Sequence, residues 1–93
     1  MTINEYQTRL IKRMIATTDD YSKNKVNFPF LVNKLESLFL TGDFSDKDFK
    51  EQWFILWGSL EVLNALKGDK VTFKETEQLL SKMKIFLINS IYF

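Results

Sequence analysis

Apolar residues in this sequence recur at three- and four-residue intervals, and no run alternates long enough to make a half-buried strand, so the chain is restricted to helices. The stretch from Phe44 to Lys67, FSDKDFKEQWFILWGSLEVLNALK, shows the pattern most fully and holds both tryptophans. Phe49, Trp53, Leu56, Leu60 and Leu63 form one stripe, which Phe54, Trp57 and Ala65 widen, so this central helix should face more than one neighbour. Its start is marked by Ser45 as N-cap, Asp48 in the capping-box position, and Phe44 with Phe49 as a hydrophobic staple. Helix is therefore expected from Asp46 to Lys67, where Gly68 can take positive φ, a length of roughly 31 Å. Gly58 inside it costs about 1 kcal/mol in helix propensity relative to alanine and implies that a backbone or an aromatic ring packs closely there.

Three further helices flank it. Thr2-Ile3-Asn4-Glu5 reads as a capping box, followed by Tyr6, Leu10 and Met14 with Ile3, Ile11 and Ile15 on one face, giving a helix over 3–17. The turn formers of TDDYSKNKVN predict a loop of about ten residues from Thr18 to Asn27, in which Asp19, Asp20 and Tyr21 could touch a partner, although a plain spacer is the simpler reading. Asn27 can cap a second helix with Pro29 in its first turn and Phe30, Leu31, Leu35, Leu38 and Phe39 on its apolar face, ended over 28–41 by Thr41-Gly42. The short link to Phe44 makes helices two and three antiparallel neighbours. Thr72 with Glu75 is a third capping box, opening a helix over 73–90 that carries Leu79, Leu80, Met83, Phe86 and Leu87. Ile85, Ile88, Tyr92 and Phe93 add apolar surface that either closes the core or is used by a partner. The expected fold is all-α, a four-helix bundle in one domain spanning 1–93.

Composition removes several functions. The chain has no cysteine and no histidine, which excludes disulfides, thiolate and imidazole catalysis and the usual zinc sites, so a metal could be held by carboxylates only. No phosphate loop, nucleophile elbow or dinucleotide fingerprint occurs. A helical pericyclic enzyme would need several arginines around a dicarboxylate, and Arg9 and Arg13 are the only two. The expectation is a non-enzyme with no cofactor and no metal. No apolar run, Ile85 to Ile88 among them, comes near the length needed to span a bilayer, and TINEYQ lacks a basic-then-apolar leader pattern, so a cytoplasmic protein with no membrane partner is expected.

The net charge of +1 argues against a generic nucleic-acid binder, but its distribution is uneven. Residues 1–35 sum to +3, residues 36–61 to −4 and residues 62–93 to +2. The acidity gathers around the start of the central helix in Asp43, Asp46, Asp48 and Glu51, residues that could do acid–base work but also stand where a helix N-terminus favours negative charge.

The segment Leu35-Glu36-Ser37-Leu38-Phe39-Leu40-Thr41-Gly42-Asp43-Phe44-Ser45-Asp46-Lys47-Asp48-Phe49, followed by Trp53 and Trp57, resembles small bacterial immunity proteins of the colicin D and contact-dependent growth inhibition kind. The shared pattern is an apolar helix, a Gly-hydrophobic-Ser turn and an acidic helix start, and it covers roughly residues 30–66. The resemblance implies a cytosolic protein that neutralises a cognate toxin, often a tRNA-cleaving nuclease, by presenting acidic residues to the toxin's basic active site. Asp43, Asp46, Asp48 and Glu51 match the pattern, with Glu36 as a further position. Immunity proteins against membrane-active bacteriocins are also small helical bundles. Two other readings stay open: a regulatory module that contacts nucleic acid through Arg9, Lys12 and Arg13, and an assembly module that uses Ile88 to Phe93. The sequence leaves the oligomeric state undetermined.

Overall fold

A computed structural model describes residues 3–92. Four helices, α1 (Glu5–Ser22), α2 (Phe28–Gly42), α3 (Lys47–Lys67) and α4 (Phe73–Tyr92), form an up-down-up-down bundle, with a single 3-10 turn at Gly68–Lys70 between α3 and α4. The antiparallel order follows from which ends meet. Gln7 Nε2 at the start of α1 donates to the carbonyl of Gly42 at the end of α2 (2.9 Å), and Trp57 Nε1 on α3 donates to the carbonyl of Val32 on α2 (3.0 Å). Phe49 at the start of α3 stacks on Phe86 near the end of α4, while Lys84 of α4 reaches Asp19 of α1. Each helix packs against two neighbours and none across the diagonal, so α3 is one corner of a ring and does not occupy the centre.

The expected helices are all present, with boundary differences that have physical causes. Thr2 lies outside the described residues; α1 is capped by Asn4, whose side chain accepts from Gln7 N while the Gln7 side chain accepts from Asn4 N. The helix does not stop near Thr17. Thr17, Thr18 and Ser22 hydroxyls donate to the carbonyls of Arg13, Met14 and Thr18, so residues that commonly break helices bond within this one. The predicted ten-residue loop shrinks to residues 23–27, and Asp19 and Tyr21 are not free for a partner: Asp19 is held by Lys84 (2.6 Å), and Tyr21 is buried against Phe28.

In α2, Asn27 caps Phe30 N as expected, but the resulting register turns Phe28 into the core and leaves Phe30 half exposed. Tyr6 is likewise displaced from the apolar face of α1, where Gln7 is buried in its place. The α3 cap is Asp46 and not Ser45: its Oδ1 accepts from Phe49 N at 2.8 Å, and the helix starts one residue later than expected. Phe44 and Phe49 still stack, with centroids 4.7 Å apart. The Thr72–Glu75 capping box is formed in both directions.

Two glycines behave differently from expectation. The left-handed residue after α2 is Asp43 (φ 47°), one of the few side chains that tolerate this region, and Gly42 is helical. What Gly42 supplies is space, because a Cβ there would lie 2.3 Å from the Phe44 ring, itself pinned by Phe39 and Phe49. Gly42→Ala should therefore destabilise the fold by about 1–3 kcal/mol despite alanine's better helix propensity, a difference readable from urea unfolding midpoints. Gly58 has nothing within 4 Å of a built Cβ, so the close packing inferred for it from the sequence is absent within the chain.

The core holds Trp53, Phe28, Phe49, Ile11, Met14, Leu31, Leu35, Leu60, Met83 and Leu87, all nearly inaccessible. An aromatic stack, Phe44–Phe49 and Phe39–Trp53–Trp57, fills the α2–α3 seam. Of the C-terminal residues, Ile91 packs against the core, whereas Ile85 and Tyr92 are exposed; Phe93 lies outside the described residues. No described helix is long and apolar enough to cross a membrane.

At the other end of the bundle, Lys67 forms an ion pair with Glu75. The lysine, together with the Thr72 backbone and hydroxyl, holds the Glu75 carboxyl at about 2, below its ordinary 4.5. A depressed carboxyl pKa contributes stability that is complete above the unfolded value and is lost as pH falls from about 4.5 towards 2. Glu75→Gln should flatten that part of the stability–pH curve, as followed by thermal unfolding between those limits.

Candidate functional site

Glu36, Asp43, Asp46, Asp48 and Glu51 gather around the corner where α2 ends and α3 begins. Asp43, Asp48 and Glu51 are exposed, and Glu36 and Asp46 are partly so. Glu36 lies two turns before the end of α2, and Asp43 is the left-handed residue that follows the helix. Asp48 and Glu51, one turn apart, share the outer side of α3. Asp46 carries the cap through Oδ1, leaving Oδ2 with no bond among the described residues. None of the five belongs to an ion pair among those residues; Glu5, Asp19 and Glu75 elsewhere are paired with a cation, while Asp20, Glu61, Asp69 and Glu77 are not.

The corner is not uniformly acidic. At helical spacing, Lys47 and Lys50 fall on the flank of α3 nearer α2, next to Asp48 and Glu51. Lys47, Lys50 and Glu51, with Phe54 and Ile55, line a shallow cleft of about 470 Å³ on the outside of the bundle. Both aromatic and aliphatic members are exposed, so this cleft offers an apolar floor with charge of both signs at its edge.

Among the described residues, no group of three acidic side chains is placed to hold a metal ion. A second cleft, of about 390 Å³ at the opposite end of the bundle, is lined by Tyr21, Asn24, Asn27, Asp69 and Phe73 among others, with Asp69 as its single carboxylate. The basic face of α1 is partly engaged within the chain: Arg9 pairs with Glu5 at 3.4 Å and lies over the Tyr6 ring, while Lys12 and Arg13 are exposed.

The acidic residues were legible in the sequence. What sequence reasoning missed is the exposed apolar side chains beside them, because Phe54 was assigned to one wide stripe and Ile55, Val62 and Leu66 were assigned to no face. No protein-family model matches the chain, and neither a curated protein nor a solved structure matches it.

Proposed function

We propose that this protein acts by binding rather than by catalysis, as an immunity protein that neutralises a cognate bacterial toxin of the nuclease class, such as one that cleaves tRNA. The observation that carries this reading is the set of five carboxylates without ion-pair partners around the α2–α3 corner. A nuclease active site is built to receive phosphates and is correspondingly basic. Carboxylates on a rigid helix start can occupy the positions of those phosphates, accelerate encounter through the electrostatic field, and hold the complex by charge-assisted hydrogen bonds. Lys47 and Lys50 then act in specificity, penalising toxins whose cleft is basic throughout. The location expected for such a protein is the cytoplasm, where the incoming nuclease acts.

Expression of the chain in cells that carry the toxin encoded in the neighbouring reading frame tests this. Growth should be restored, and the two proteins should co-purify. Continued arrest in the presence of folded, soluble chain would reject the reading.

A further inference from the structure

The cleft at the end of the bundle away from the carboxylate corner is built by the end of α1, the α1–α2 link, the start of α2, the 3-10 turn and the start of α4. Its volume of about 390 Å³ lies within the range of small-molecule sites, roughly 300–1,000 Å³. Part of its lining is aromatic. Tyr21 packs against Phe28 with centroids 5.6 Å apart and against Phe73 at 6.1 Å, and Phe73 is half exposed, so its ring can meet a ligand. The rest is polar. Asp69 belongs to no ion pair among the described residues, and Asn27 uses its Oδ1 on the cap of Phe30 N, while Asn24 stands exposed beside it.

The charge that such a cleft selects follows from what surrounds it. The carboxyl ends of α1 and α3 and the amino ends of α2 and α4 all lie at this end of the bundle, so their dipoles oppose and largely cancel. Asp69, the one charged side chain in the lining, then sets the sign. Lys25 and Lys70 stand next to lining residues in sequence, but both are exposed, where salt screens them. A metal ion does not suit a lining with one carboxylate, whereas an ammonium group is attracted both by that carboxylate and by ring faces within about 6 Å.

We infer that this cleft is a binding site for a small organic cation, an alkylammonium whose charge is held by Asp69 and whose alkyl groups lie on the aromatic wall that Phe73 opens. The amides of Asn24 and Asn27 can take up a hydroxyl or carbonyl group of the same ligand. The site does not rest on the toxin reading, since none of these residues is among the five carboxylates of the α2–α3 corner.

Choline, an alkylammonium with a hydroxyl group, is the probe. Titrated into the full chain at constant ionic strength made up with sodium chloride, it should shift the amide resonances of residues 22–28 and 69–73 along one saturable curve, with a dissociation constant on the order of a millimolar. Asp69→Asn, at an exposed position outside the α-helices, should leave the circular dichroism spectrum unchanged and weaken binding at least about tenfold. Phe73→Leu, which keeps an apolar side chain and removes the ring, should weaken it a few-fold. The uncharged isostere of choline, with carbon in place of nitrogen, should bind more weakly by about the factor that Asp69→Asn costs. Shifts confined to residues 43–51 would place the cation on the carboxylate corner and overturn the inference. So would equal affinity for the uncharged isostere, undiminished binding by the Asp69→Asn variant, or the absence of any saturable shift up to about a hundredfold above the expected constant.

Discussion

Trp53→Ala is expected to lower the stability of the fold by about 3–5 kcal/mol, a large fraction of the total for a domain of this size. The indole is wholly inaccessible, lies between Phe39 (centroids 4.0 Å apart) and Trp57 (5.5 Å), and fills the seam between α2 and α3. Removing it opens a cavity that the stacked rings cannot collapse into without losing their own contacts. The Nε1 group of Trp53 has no hydrogen-bond acceptor among the described residues, so the side chain contributes through packing alone. Trp53→Phe should consequently be much milder, since it discards an N–H that is buried and unsatisfied. Chemical unfolding of the two variants beside the parent checks both statements. A small change on alanine substitution would mean that the aromatic stack does not hold α2 against α3.

Why some of this structure was readable beforehand and some was not comes down to which interactions are local. Asn27, Thr72 and Glu75 act on backbone groups three residues away, and their roles were legible because the cap motif is contained in the sequence. The end of α1 was not legible: Thr17, Thr18 and Ser22 suit turns as well as helices, and the choice was made by the burial of Tyr21 against Phe28, a contact across the connection. Gln7 is buried because a carbonyl at the far end of α2 receives its amide, which no local pattern announces. Phe28 and Phe30 have similar claims to the core until the Asn27 cap sets the register. Both sides of α3 carry large apolar residues, so periodicity identified a helix while Phe54, assigned to the stripe, is in fact half exposed. For the candidate site, the run of carboxylates is visible in the sequence, but their relation to Lys47 and Lys50 depends on the angle around α3 and on the position of α2 beside it.

The second large effect concerns binding. Asp48 and Glu51 project from the first two turns of α3, where they are exposed and contribute nothing to the core. Asp48 does favour the helix through its position in the first turn, a contribution of about 0.3–1 kcal/mol, so replacing it weakens α3 without unfolding the bundle. In a complex with a basic nuclease, by contrast, each carboxylate would be desolvated against lysine or arginine, and loss of one such member costs about 2–5 kcal/mol. Reversal of both charges adds repulsion to the loss, so affinity should fall at least roughly a thousandfold. Arg9 and Arg13 provide the matched control, because they lie on the exposed side of α1, opposite the side on which Gln7 meets Gly42, and their reversal changes net charge by the same number of units in the opposite sense.

The most direct test of the proposed binding role is titration calorimetry of the purified cognate toxin against three forms of this chain. The parent and the Arg9→Glu, Arg13→Glu variant should bind with similar affinity, and the Asp48→Lys, Glu51→Lys variant, shown to be folded by circular dichroism, should give no measurable heat of binding. Unchanged affinity for the Asp48→Lys, Glu51→Lys variant would contradict the assignment of the carboxylate corner as the toxin-binding site.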